Sequence, residues 1–125
     1  MSLFRVHALV AWAFVLAIVI QVFLAGAAIL QLGGSGNFAT HIEFGYTGIG
    51  IVVLVLLVSA FVARRPRREV GMVAGLLGLY IVQTSLPFAR ESVPAIAALH
   101  PVNALLMFAL AAWYARRAWV ASAAA

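Results

Sequence analysis

The chain has no cysteine, and of its eight cationic side chains none is lysine. Only three residues are acidic and 9% are charged, against 66% hydrophobic. Without cysteine there can be no disulfide, no thiolate metal site and no thioether-attached haem. A soluble domain carries about a quarter charged residues. With so little charge, 125 residues cannot hide this much apolar surface inside themselves, so lipid is the expected solvent for much of it.

What is present is apolar length. A membrane span needs roughly 20 mostly apolar residues. Spans are expected at about 4–31, 38–63, 69–86 and 101–120, and they leave no room for a soluble domain. The first apolar stretch exceeds the 7–15 residues of a signal-peptide core and is read as a retained span. "GGSGN" from Gly33, "ARRPRRE" from Ala63 and Pro87 punctuate the chain. Short connections favour antiparallel neighbours. The expected fold is therefore all-α: one integral membrane domain over 1–125, an up-down-up-down four-helix bundle. Ser92 before Pro94 reads as a further short helix, and Pro101 suits the first turn of the last span.

The net charge of +5 does not point to nucleic acid. Arg64, Arg65, Arg67 and Arg68 cluster between spans two and three; Arg116 and Arg117 follow span four; Arg5 precedes span one. This is the positive-inside pattern. It places both termini and the arginine loop in the cytoplasm of a bacterial inner membrane, with anionic lipid as the partner. Trp12, Trp113, Tyr114 and Trp119 fall near the same ends, as interfacial aromatics do.

His41 and His100 stand at the outer ends of spans two and four. In an up-down bundle these spans are diagonal neighbours, so two imidazoles at one depth can pinch a flat ligand. Haem iron takes axial histidines, and bundle cores are a usual site for it. Gly45 and Gly48 share a helix face with His41, and their missing side chains are expected to leave a slot for a porphyrin edge. Asn103 and Ala104 lie below His100. One haem b per chain, with His41 and His100 as metal ligands, is the expected cofactor. A protein-only metal site has too few ligands: Glu43 is two residues from His41 and points elsewhere. His7, at the opposite end, has no second histidine near it and reads as interfacial, with a proton or quinone contact as the sharper alternative. Gln21 and Gln83 lie within spans and need hydrogen-bond partners. They serve as helix–helix glue or as ligand contacts. Arg90, the one outer arginine, is a candidate partner for a haem propionate, with Thr40, Tyr46 and Gln31 as weaker ones. Tyr46, Gln21 and Asn103 are candidates to surround the ligands. Gly71, Gly75 and Gly78 read as a close-packing face.

"QVFLAG", His41, Gln83 and "LHPVNALLMFALAAWYARR" together resemble a bacterial family of small four-span membrane proteins of unknown function. More distantly, the layout resembles one four-helix half of haem A synthase. That resemblance implies haem near the outer face, with His41 and His100 as axial ligands. The synthase's glutamate one turn before the first histidine is absent, and Ile42 stands where it has an arginine, so haem hydroxylation is not implied. The expectation is a b-type cytochrome for electron transfer or haem sensing rather than an enzyme, exchanging electrons with a quinone or a redox protein. A cofactor-free membrane subunit, packing its glycine faces on partner helices or on a second copy, is the alternative.

Overall fold

A computed structural model describes residues 1–123. Every regular element in it is helical. Four helices are long and apolar enough to cross a membrane: α1 (Leu3–Ala28), α2 (Ala39–Val62), α3 (Arg67–Arg90) and α4 (Pro94–Ala123). α1 and α3 each pack against both α2 and α4.

Local chemistry sets the boundaries. Ser2 caps α1 by accepting from the Arg5 amide, which satisfies one of the free N–H groups of a first turn. α1 stops at Ala28, short of the expected Gln31. A 3₁₀ turn covers Leu30–Leu32, and Gly33 at φ 80 supplies the left-handed residue that ends it. Pro66 precedes α3 and Glu69 lies in its first turn, where a carboxylate favours the positive end of the helix dipole. The regular α-helix of α3 ends just before Pro87, close to the expected Leu86. The α-helical part ends at Ser85 and continues as a 3₁₀ segment, Leu86–Arg90. The last long helical stretch starts at Leu99, which puts Pro101 inside its first turn.

α2 is not uniform. Five α-helical residues, Ala39–Glu43, lead into a π-helical segment, Phe44–Ile49, before regular helix resumes at Gly50. π segments widen a helix locally and are frequent at functional sites. This one begins three residues after His41.

The core follows helical spacing. Ala8, Ala11, Phe14 and Ile18 of α1 meet Val53, Leu56 and Ala60 of α2, and Ala111, Ala115 and Ala118 of α4. Alanine on both α1 and α4 allows the two backbones to approach closely. Arg5 ties the same pair together: its guanidinium lies 3.6 Å over the Trp119 ring and donates to Ser122 Oγ at 3.3 Å. α3 buries least, with only Glu69, Val73 and Leu76 shielded in its α-helical part. A Cβ placed on Gly71, Gly75 or Gly78 would meet nothing within 4 Å. The expected close-packing glycine face therefore packs on no helix of this chain.

Candidate functional site

A cavity of about 720 Å³ opens between the helices at the His41 end. His41 and His100 both line it, with Gln21, Gln83, Tyr46 and Tyr80. The volume falls within the range of small-molecule and cofactor sites. The two imidazole centroids are 6.5 Å apart and their planes are inclined by 67°.

Each histidine is held by one glutamine in the same way. His41 Nδ1 donates to the Gln21 carbonyl at 3.1 Å, and His100 Nδ1 donates to the Gln83 carbonyl at 3.0 Å. A carbonyl only accepts, so both rings carry their proton on Nδ1 when neutral, and the lone pair sits on Nε2. The same glutamines then donate side-chain N–H to that lone pair: Gln21 Nε2 is 3.3 Å from His41 Nε2, and Gln83 Nε2 is 3.0 Å from His100 Nε2. Sequence reasoning noted glutamines in spans one and three and histidines opening spans two and four. It did not pair them, because the partners lie 20 and 17 residues apart on different helices.

The two halves differ in what holds the glutamine. Asn103, three residues after His100, donates one amide hydrogen to Gln83 Oε1 at 2.8 Å and the other to the Leu79 carbonyl at 3.0 Å. The Gln83 amide therefore cannot turn without breaking a buried network. At the matching position after His41 stands Phe44, which has no donor. Gln21 Nε2 donates to the His41 carbonyl at 2.9 Å, while Gln21 Oε1 is buried and accepts no hydrogen bond from the described residues.

The glycines act differently from the expected slot. A Cβ on Gly45 would sit 2.6 Å from Gln21 Nε2, so this glycine makes room for the Gln21 amide. A Cβ on Gly48 would meet the Phe44 ring at 2.6 Å, and Gly48 is not among the cavity-lining residues. Gly45 still lines the cavity, so the side chains narrow the space below His41 without closing it. Gly50, which the sequence did not single out, admits the Tyr80 hydroxyl, which a Cβ there would meet at 2.6 Å. That hydroxyl donates to the Tyr46 carbonyl within the π segment at 2.9 Å, and Tyr46 donates to the Thr84 carbonyl at 3.3 Å.

Arg90 lines the cavity beside Glu91. Their 3.7 Å ion pair is exposed and worth little, so the guanidinium is free to take another anion. Thr40 and Gln31 are exposed and do not line the cavity. Glu43 is exposed. No three His, Cys, Asp or Glu side chains converge among the described residues. Side chains of those types thus offer a metal two imidazoles here.

His7 is not the interfacial residue that the sequence suggested. It is fully buried. Its Nδ1 is 2.7 Å from Ser59 Oγ, and its Nε2 is 2.6 Å from the Tyr114 hydroxyl. Ser59 uses its own hydrogen on the Leu56 carbonyl at 2.8 Å. It therefore accepts from His7 Nδ1, and Tyr114 must donate to Nε2. Close after Ser59 in the chain, Arg65 and Glu69 form a buried ion pair at 2.6 Å. The chemistry-bearing side chains thus divide into two clusters, separated by the apolar layer of Phe14, Val53, Leu56 and Val73.

Searches of curated proteins and of solved structures return no match. The model of a family of unknown function, DUF6220, matches residues 21–89. The match takes in Gln21, His41 and Gln83 but stops before His100 and Asn103. Since it covers more than half of the chain, the protein belongs to the DUF6220 family.

Proposed function

We propose that this chain is a membrane b-type cytochrome that holds one haem b between His41 and His100. The observation that carries the reading is the pair of matched imidazoles in one cavity, each with Nδ1–H on a backbone carbonyl and its lone pair on Nε2, shared only with a glutamine N–H. Metal-bound histidines are typically fixed by this outer hydrogen bond, which sets the tautomer and raises ligand basicity. One metal atom between two imidazoles, at bonds of about 2 Å each, separates the ring centroids by roughly 6 Å; the rings stand 6.5 Å apart. Two imidazoles are too few for a closed metal site and suffice for a bis-histidine haem. The more distant resemblance to one half of haem A synthase agrees with this use of the pair.

When bound, haem supplies reversible one-electron chemistry. The protein's part is to ligate, orient and shield. His41 and His100 would hold the metal through Nε2 in place of the glutamine N–H, with Nδ1–H kept on the Gln21 and Gln83 carbonyls. Ile18, Ile49 and Met107 give the cavity an apolar floor that excludes water. Arg90, at the mouth, pairs with a propionate. With both axial positions filled by histidine, electron transfer or haem sensing is favoured over oxygen chemistry. The bundle lies antiparallel in a bacterial inner membrane, with the termini and the Arg64–Arg68 loop on the cytoplasmic side and the haem near the outer face. The electron partner is a quinone or a redox protein.

A cofactor-free membrane subunit is the second reading. It is favoured by the open Gly71, Gly75 and Gly78 face, which a partner helix or a second copy would cover.

The visible spectrum of protein purified with adequate haem supply tests the main reading. A sharp Soret band with split low-spin bands on reduction is expected, lost in His41→Ala and in His100→Ala. Protein that stays colourless on adding hemin would overturn it, and low-spin spectra in both variants would remove these ligands. Arg90→Ala is expected to loosen haem and shift its midpoint potential; unchanged retention and potential would remove Arg90 from the site.

A further inference from the structure

The two histidine half-sites are alike in the ring and unlike behind it, and the difference bears on which ligand lets go. We infer that His100 is the exchangeable ligand, released to admit a neutral diatomic molecule such as carbon monoxide or nitric oxide, while His41 stays bound. This rests on the haem reading above.

Ligation and the glutamine N–H compete for one lone pair on each Nε2. On the His100 side the competitor is fixed. Gln83 Oε1 is taken by Asn103, Asn103 is anchored on the Leu79 carbonyl, and Gln83 Nε2 sits 3.0 Å from His100 Nε2. When His100 ligates, this N–H faces a nitrogen with no lone pair and cannot turn to another acceptor. A donor left unpaired in a site filled by its ligand is costly. On the His41 side the competing contact is longer, 3.3 Å, and Gln21 Nε2 keeps its bond to the His41 carbonyl whether or not the ring ligates. Gln21 Oε1 has no partner among the described residues, so that amide is held through its Nε2 alone. Ligation thus strands a short, fixed hydrogen bond at His100 and only a long contact at His41.

The exchange balances simply. The bond from iron to His100 Nε2 breaks and a bond from iron to the diatomic forms. No electron is transferred. No proton moves, because His100 already carries its proton on Nδ1, and the freed Nε2 returns to the Gln83 N–H. The occupant is a small neutral molecule because the one cation lining the cavity among the described residues, Arg90, is assigned to a propionate at the mouth.

The test is the rate of carbon monoxide uptake by the full-length, haem-loaded, dithionite-reduced protein in detergent, which is limited by histidine release. The wild type is expected to take up carbon monoxide. Gln83→Leu removes the competing donor and is expected to slow uptake roughly 5- to 150-fold, the range that a stranded donor implies. Gln21→Leu is expected to change it less than about threefold. Asn103→Leu frees the Gln83 amide and slows uptake by an intermediate factor, which serves where Gln83→Leu does not fold. Slowed release distinguishes competition from support, because loss of a merely structural contact would loosen the ligand and speed uptake. Faster uptake in Gln83→Leu, a larger effect from Gln21→Leu, or no uptake by the wild type overturns the inference and leaves bis-histidine haem standing. Protein without a haem spectrum removes both.

Discussion

Histidine occurs at both ends of this bundle, and its two settings differ in every physical respect. At the His7 end the imidazole is fully buried, both nitrogens are bonded to hydroxyls, and the two partners come from two other helices. At the other end two imidazoles line a cavity, and one of the amides beside them has a buried oxygen without a partner. A saturated buried network has no valence left for a ligand. It fixes how helices meet, since each partner is satisfied in one arrangement only. A cavity with lone pairs facing it is arranged for something further. In one chain, then, the same side chain serves packing where it is sealed in the core and is placed for binding where it borders a cavity.

The largest effect is expected from breaking the closed end. His7→Ala leaves the Tyr114 hydroxyl and Ser59 without their partner and opens a void among Ala8, Ala11 and Tyr114. Loss of about 3–5 kcal/mol is expected, read from reversible unfolding in mixed micelles. The cavity at the far end should keep its ligand spectrum. A change below about 1 kcal/mol would mean that the network does not hold the helices together.

Tyr114→Phe is the milder cut. It keeps the ring in the core and removes one donor, so His7 Nε2 is left buried and unpaired. About 1–3 kcal/mol is expected, less than for His7→Ala because no void forms. Equal losses in the two variants would place the energy in the hydroxyl rather than in packing.

The contrast between the ends was only partly legible in the sequence. Helix positions followed from apolar run lengths, which depend on local composition. The His41–His100 pairing followed from matched depth on parallel spans. His7 was misread because a histidine beside Arg5 at a helix end looks interfacial. Its partners, Ser59 and Tyr114, are 52 and 107 residues away and ordinary by type. The glycines were misread for a related reason. A missing side chain marks where something fits, but not what: at Gly45 it is the Gln21 amide, at Gly48 the Phe44 ring. The π segment after His41 carries only a weak sequence signal: the two glycines in Phe44–Ile49 lower helix propensity but do not specify a π turn.

The smallest effect on folding is expected at the open end. His41 is half-buried, and its ring borders a cavity rather than a packed core. In His41→Ala the Gln21 N–H keeps its 2.9 Å bond to the residue 41 carbonyl, because that bond goes to the backbone. What is lost is one ring N–H bond to the Gln21 carbonyl and one long contact at 3.3 Å. Both freed groups lie at the lining of a cavity large enough to admit water, which repairs most of the loss. Stability should therefore stay within about 0.5 kcal/mol of the wild type in the same unfolding assay, while low-spin haem is lost. The pairing of these two results is the informative part. A histidine whose removal spares the fold and abolishes ligation is held in place for its lone pair. If His41→Ala unfolds the bundle as His7→Ala does, the open end is a second packing network, and the cofactor-free reading gains.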